Sequence, residues 1–298
     1  MRHLFIQSNK TMILNKSSFA LVFILSLLGC GEHQANVQTV SQNEVQQSTE
    51  RKTQTPQNPS PVITPTPELE IAFGKGLKII PKTVELENQR RRYKIYLVYP
   101  HIEGSKSVGI LKLNHRIKDL VTKQCQWPLI PPTKEDLRHY EKWPGVFNSV
   151  DLTYDVVLAT DQLLSIYFEV YSYGIGAAHS VQQSFTVNFD LQSEELITLT
   201  KLFRPRAGHL RFISDYCIRE LSRDHQYAMS DPIFKDELAP KLKNYESWNL
   251  TKEGLRFNFD ACKIDGCAAG KVDVKITFDA LKEKLKPMSP MNSIGRSA

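Results

Sequence analysis

The sequence predicts an α+β protein: antiparallel sheets with packed helices, arranged as two subdomains after a disordered linker. Three observations carry this. Short segments of alternating apolar residues recur between residues 92 and 277. Two longer stretches among them repeat apolar residues at helical spacing. A stretch rich in Gln, Thr, Ser and Pro precedes them all. Strand runs interrupted by long amphipathic helices argue for helices on antiparallel sheet.

The elements follow in order. "RYKIYLVYP", Arg92 to Pro100, reads as a strand ended by its proline. Ile110, Leu113, Ile117, Leu120 and Val121 recur at helical spacing, which predicts an amphipathic helix over 107–124. "PPTKEDLRHYEKW" holds a short helix, with Thr133 as N-cap and Glu135 and Asp136 in the first turn. Residues 149–173 read as two strands joined at Thr160-Asp161. In the second, Leu164, Ile166, Phe168 and Val170 share one face, and Tyr167, Glu169 and Tyr171 the other. Phe185, Val187 and Phe189 alternate, and a polar turn leads back through Leu196 to Leu199 as a hairpin. A second amphipathic helix carries Leu210, Ile213, Cys217 and Leu221 on one face. "EGLRFNF" and "KVDVKITF" form a last strand pair, and "DALKEKL" a closing helix. The expected division is 69–175 for the first subdomain and 176–287 for the second.

The N-terminus has the layout of an export signal. Arg2, Lys10 and Lys16 precede "FALVFILSLLGC", an apolar run too short for a membrane span of ~20 residues. Its ending, Leu27 to Cys30, resembles the lipobox of bacterial lipoproteins. That resemblance implies a signal peptide over 1–29, cleavage between Gly29 and Cys30, and a lipidated Cys30 that anchors the chain to a bilayer. Initiation at Met12 gives a signal of more usual length. Gly31 lacks the Asp that holds lipoproteins in an inner membrane, so a Gram-negative host implies an outer-membrane lipoprotein facing the periplasm. Residues 30–68 carry few large apolar side chains and are expected to be a disordered tether. Residues 288–298 are expected to be a disordered tail.

Four other cysteines remain. Cys262 and Cys267 bracket "KIDG", whose Asp-Gly suits a tight turn, so they are expected to close a short loop. Cys125 then pairs with Cys217; free buried thiols are the alternative. The absence of a C-x-x-C pair argues against zinc. Of the 38 Lys and Arg residues, three lie in the first 29, which leaves 35 against 32 acidic residues. A balance of about +3 with no basic face excludes a nucleic-acid partner.

The stretch "YSYGIGAAHS", Tyr171 to Ser180, puts small residues beside His179. No H-E-x-x-H, G-x-S-x-G or Walker string occurs. His179 with Asp190, or His209 with Asp215, makes at most a polar pair without a third partner. Neither a catalytic residue nor a cofactor is expected.

The strings carry a resemblance. Gly176, Ala178 and His179, then Asn188, Asp190 and Leu191, then Leu199, Leu202 and Phe203 resemble the C-terminal domain of RsiV-type anti-sigma factors. They are equally similar to the region before the catalytic domain of PdaC-type peptidoglycan deacetylases. Ala177, Glu194 and Lys201 depart from the pattern. The chain ends before any deacetylase domain, and a lipobox stands where a sigma-binding segment belongs. The resemblance therefore implies a non-catalytic sensing or binding domain of the cell envelope, with lysozyme-like hydrolases or peptidoglycan as the ligand class. Tyr167, Tyr171, Tyr173 and His179 are its expected binding surface. A structural or assembly lipoprotein, or a hydrolase using His179, is the alternative.

Overall fold

The computed structural model describes residues 70–223, 232–264, 267 and 270–286. The expected signal, Gly29, Cys30, the tether and the tail lie outside these.

A seven-stranded sheet forms the centre, with strands in sequence order. These are β1 (Ile71–Phe73), β2 (Leu77–Asn88), β3 (Tyr93–Glu103), β4 (Asn148–Ala159), β5 (Leu163–Tyr173), β6 (Val181–Asp190) and β7 (Glu195–Leu196). All neighbours are antiparallel except β3 and β4, which are parallel. A parallel pair needs a crossover. Here it contains α1 (Val108–Cys125) and α2 (Lys134–Tyr140). A second, three-stranded antiparallel sheet holds β8 (Trp248–Leu250), β9 (Gly254–Phe259) and β10 (Val272–Thr277). Short helices α3 (Leu199–Leu202), α5 (Pro232–Glu237) and α6 (Phe278–Leu281), the longer α4 (His209–Arg223) and three 3-10 turns (Gly74–Gly76, Trp127–Leu129 and Leu242–Tyr245) complete the elements of the described residues.

The α+β class expected from the sequence is the one observed, with this parallel pair as a refinement. β3 does not stop at Pro100 but runs through it, with Pro100 opposite Pro81 of β2. Two prolines facing each other suit a pair in which neither residue donates to the ladder. The strand after the β6 turn is only two residues long, and helix α3 takes the place of its continuation. β5 and β6, on either side of residues 175 and 176, pair along their length, so one sheet runs through that position.

β5 is buried on both faces, and this organises the core. Leu164, Ile166, Phe168 and Val170 join a cluster with Ile110, Leu113, Ile117, Val121 and Cys125 of α1. Leu163 joins a second cluster with Ile213, Cys217 and Leu221 of α4 and the inner side chains of β8, β9 and β10. α1 thus covers one face of the large sheet, and β8 lies against β4, β5 and β6 on the other.

Three buried polar residues bridge the two sheets. Ser165 Oγ donates to Asn188 Oδ1 at 2.6 Å and accepts from Asn249 Nδ2 at 2.9 Å. Asn188 Nδ2 donates to the Trp248 carbonyl at 2.8 Å. The Leu250 N–H lies 3.1 Å from both Ser165 Oγ and Asn188 Oδ1. Burial of these groups is tolerated because each finds partners.

The cysteines correct one expectation. Cys262 and Cys267 are bonded, but Cys125 and Cys217 are free and buried. Both helices do point their cysteine inward, yet into different clusters on opposite faces of the large sheet. Burial pushes both thiols up to about 12.

Glu194 has a structural reason for standing in the turn before β7. Its backbone is left-handed, φ +56°. Its Oε2 accepts from the Gly109 N–H at 3.0 Å, at the first turn of α1. Ser107 caps the same helix by accepting from Ile110 N at 3.3 Å. A carboxylate there satisfies an orphan N–H and complements the helix dipole. Glu194→Ala keeps the same backbone strain and removes only the cap, so urea unfolding should show a loss of about 1 kcal/mol.

Candidate functional site

The loop containing the small residues is held by neighbours other than His179. Ile175 is buried; its N–H donates to Asn148 Oδ1 at 2.8 Å, and its carbonyl lies 3.2 Å from His139 Nε2. Asn148 Nδ2 donates in turn to the Tyr140 hydroxyl at 2.8 Å. Gly176 has φ +88°, and a Cβ on it would sit 2.5 Å from His139 Nε2. Both facts demand glycine there. His179 is exposed, and its one hydrogen bond among the described residues runs between Nδ1 and the Ser180 carbonyl, 3.0 Å.

The His–carboxylate pairs weighed from the sequence do not form. Asp190 Oδ1 accepts from the backbone N–H groups of Gln192 and Ser193. Asp215 pairs with Arg211. His209 stacks on Phe203 with ring centroids 4.6 Å apart, and burial lowers its pKa. No group of three or more His, Cys, Asp or Glu that would hold a metal occurs among the described residues.

The outer face of the large sheet has two zones. In the first, the small sheet covers Tyr167, which is 4% exposed. Its ring lies under the Arg256 guanidinium at 5.4 Å and the Lys271 ammonium at 5.1 Å. Lys271 also pairs with Glu169 at 3.0 Å. Ser184 donates to Asp260, whose carboxyl burial pushes upward. Burial, with Glu169 second, pushes the Tyr167 hydroxyl up as well. A shallow cavity opens here between Asp155, Tyr167, Arg256 and Asp273. Tyr167, Arg256 and Lys271 all line it, and Tyr167, buried under both cations, joins the two sheets rather than offering a free surface.

The second zone is open. Cross-strand partners share a face, and the register places Glu85, Tyr96, Asp151, Tyr171 and Gln182 side by side across β2 to β6. Lys94, Ser149 and Tyr173 form the next row. Glu85 and Asp151 are exposed, and the three tyrosines half-buried. Flanking side chains desolvate the Asp151 carboxyl and push it above the ordinary range. Burial first, then the Glu169 carboxylate, pushes the Tyr171 hydroxyl up. Gln182 donates to Glu169 at 3.1 Å and accepts from the Ala261 N–H at 2.8 Å, so the segment leading to Cys262 closes this end of the row.

Of the four residues expected to bind, the structure brings Tyr171 and Tyr173 onto this face, buries Tyr167 and leaves His179 in its own loop. Sequence reasoning missed Glu85, Tyr96 and Asp151. Their strands alternate, but only the register shows that they adjoin Tyr171.

Fold and face together define an α+β domain that presents an open, polar-aromatic sheet face. Residues 200–279 match the DUF3298 family, described as a protein of unknown function. Over 202 residues the chain is 25% identical to the peptidoglycan-N-acetylmuramic acid deacetylase PdaC of Bacillus subtilis, covering 67% of this chain and 41% of that protein. It thus spans about two fifths of that relative's length. The expected likeness to the PdaC-type region is therefore found. Two crystal structures of DUF3298 family proteins are also similar. The one from Bacteroides fragilis has 17% identity and a TM-score of 0.47, covering 74% of this chain and 97% of its own. The one from Pseudomonas aeruginosa has 13% identity and a TM-score of 0.49, covering 72% and 95%. No helix among the described residues is long and apolar enough to cross a membrane.

Proposed function

We propose that the chain is a non-catalytic binding or sensing module of the cell envelope, held to a membrane through acylated Cys30. Its ligand is a lysozyme-like cell-wall hydrolase or peptidoglycan itself. The observation that carries the reading is the open row on β2 to β6, where Tyr96 and Tyr171 flank an exposed carboxylate. The name of the PdaC relative supports peptidoglycan as the ligand, and the lipobox at Leu27 to Cys30 supports the anchor and an extracytoplasmic location. With a Gram-negative host the protein faces the periplasm from the outer membrane. The His179 loop takes no chemical part.

The test is to incubate the full-length protein with peptidoglycan sacculi and with several lysozymes. Capture of one of these, with no product released, is the expected result. Untouched lysozyme activity together with no capture of sacculi sinks the proposal. Turnover that disappears in His179→Ala replaces it with a hydrolase.

A further inference from the structure

The ligand chemistry of the open face is more specific than the reading it rests on. Among the large apolar residues that stand exposed, Leu86, Val108, Leu111, Leu129, Ile130, Leu137, Val181, Leu196 and Leu242, none lies in the row. The row therefore lacks the aliphatic core that an obligate protein interface buries. What the row carries instead is two aromatic rings and carboxylate acceptors. Tyr96 and Tyr171 are both direct neighbours of Asp151, one on each adjoining strand. They therefore stand two strand spacings apart, roughly 10 Å. Glu85 is the next residue beyond Tyr96 on the same face.

We infer that this row is a saccharide subsite: three linked pyranose rings lie across β3, β4 and β5, the outer two on Tyr171 and Tyr96, and Asp151 and Glu85 accept their hydroxyls. Sugar rings present apolar C–H faces to an aromatic ring and O–H donors at their edges. A flat row of alternating ring and carboxylate matches both. Hydrogen bonds to an ionised acceptor are roughly twice as strong as neutral ones, and Asp151 has no ion-pair partner in the described residues to compete with the sugar. Gln182 and the segment above it wall the β6 end, so the chain of sugars leaves over β2.

Titration of the full-length protein with chitotetraose, a chain of β-linked N-acetylglucosamine, tests this. Saturable binding is expected. Tyr171→Ala and Tyr96→Ala should each weaken it about tenfold, the scale of losing a ring from the centre of a contact. Tyr171→Phe keeps the ring and should keep most of the affinity, and Asp151→Asn should weaken binding several-fold. Unchanged melting temperatures establish that the variants fold. No binding of chitotetraose, binding indifferent to Tyr171→Ala, Tyr96→Ala and Asp151→Asn, or displacement of the sugar by oligolysine each overturns the proposal. Capture of sacculi or lysozyme in the same preparations then tells whether only the saccharide site has failed or the broader reading with it.

Discussion

Asn188→Leu should destabilise the protein by about 4 kcal/mol, because it strands several buried polar groups at once. The side chain accepts from Ser165 Oγ and from the Leu250 N–H, and donates to the Trp248 carbonyl. Asn188 is 4% exposed and Ser165 fully buried, so water does not replace what is lost. Each orphaned group costs about 1–3 kcal/mol. The change should appear as a lower urea midpoint at an unchanged slope, since the folded and unfolded surfaces stay the same size. A loss below about 1 kcal/mol would mean that the sheets are joined by apolar contact alone.

Phe168→Ala should cost about 4 kcal/mol by a different route. Phe168 is fully buried on the α1 face of β5. Its ring stacks on Phe185 of β6 at 4.5 Å, with 7° between planes, and meets Tyr154 of β4 at 6.3 Å. The substitution removes a large apolar surface and leaves a cavity between three strands that pair along much of their length and cannot readily collapse. Phe168→Leu fills part of that space and should lose clearly less, which urea unfolding of the two variants checks side by side. Equal losses would show that the ring stacking, rather than the volume, sets the cost.

These two residues show where the sequence was legible. Phe168 belongs to an alternating run whose period alone assigns it to a core face. α1 and α4 were legible for the same reason, as was the Thr133 cap, where Asp136 completes a capping box. β2 was not, because Pro81 and four charged residues, Lys78, Lys82, Glu85 and Glu87, hide a twelve-residue strand. β8 was too short to show a period at all. Asn188 stood in the string that resembles the PdaC-type region, yet its partners lie 23 to 62 positions away, and no local pattern names them. The same limit applies to the open face. Glu85, Tyr96, Asp151 and Tyr171 come from four strands, and their adjacency is a property of register. Cys125 and Cys217 failed in the opposite direction: inward-facing helix positions were legible, but not which side of the sheet each helix covers.

The stretch around His179 changes meaning in this light. Gly176 is required by its left-handed backbone and by the His139 and Trp143 side chains, which occupy the space a Cβ would need, and the buried Ile175 is tied to Asn148 and His139. The loop is a fixed connection of the scaffold, and under the proposal recognition falls to the sheet face beside it.

One comparison tests that division most directly: capture of sacculi and lysozymes by full-length Tyr171→Ala and His179→Ala proteins, with melting temperatures taken on the same samples. The account predicts that Tyr171→Ala loses capture while melting as the parent does, and that His179→Ala retains both. Capture lost in His179→Ala and intact in Tyr171→Ala would contradict it.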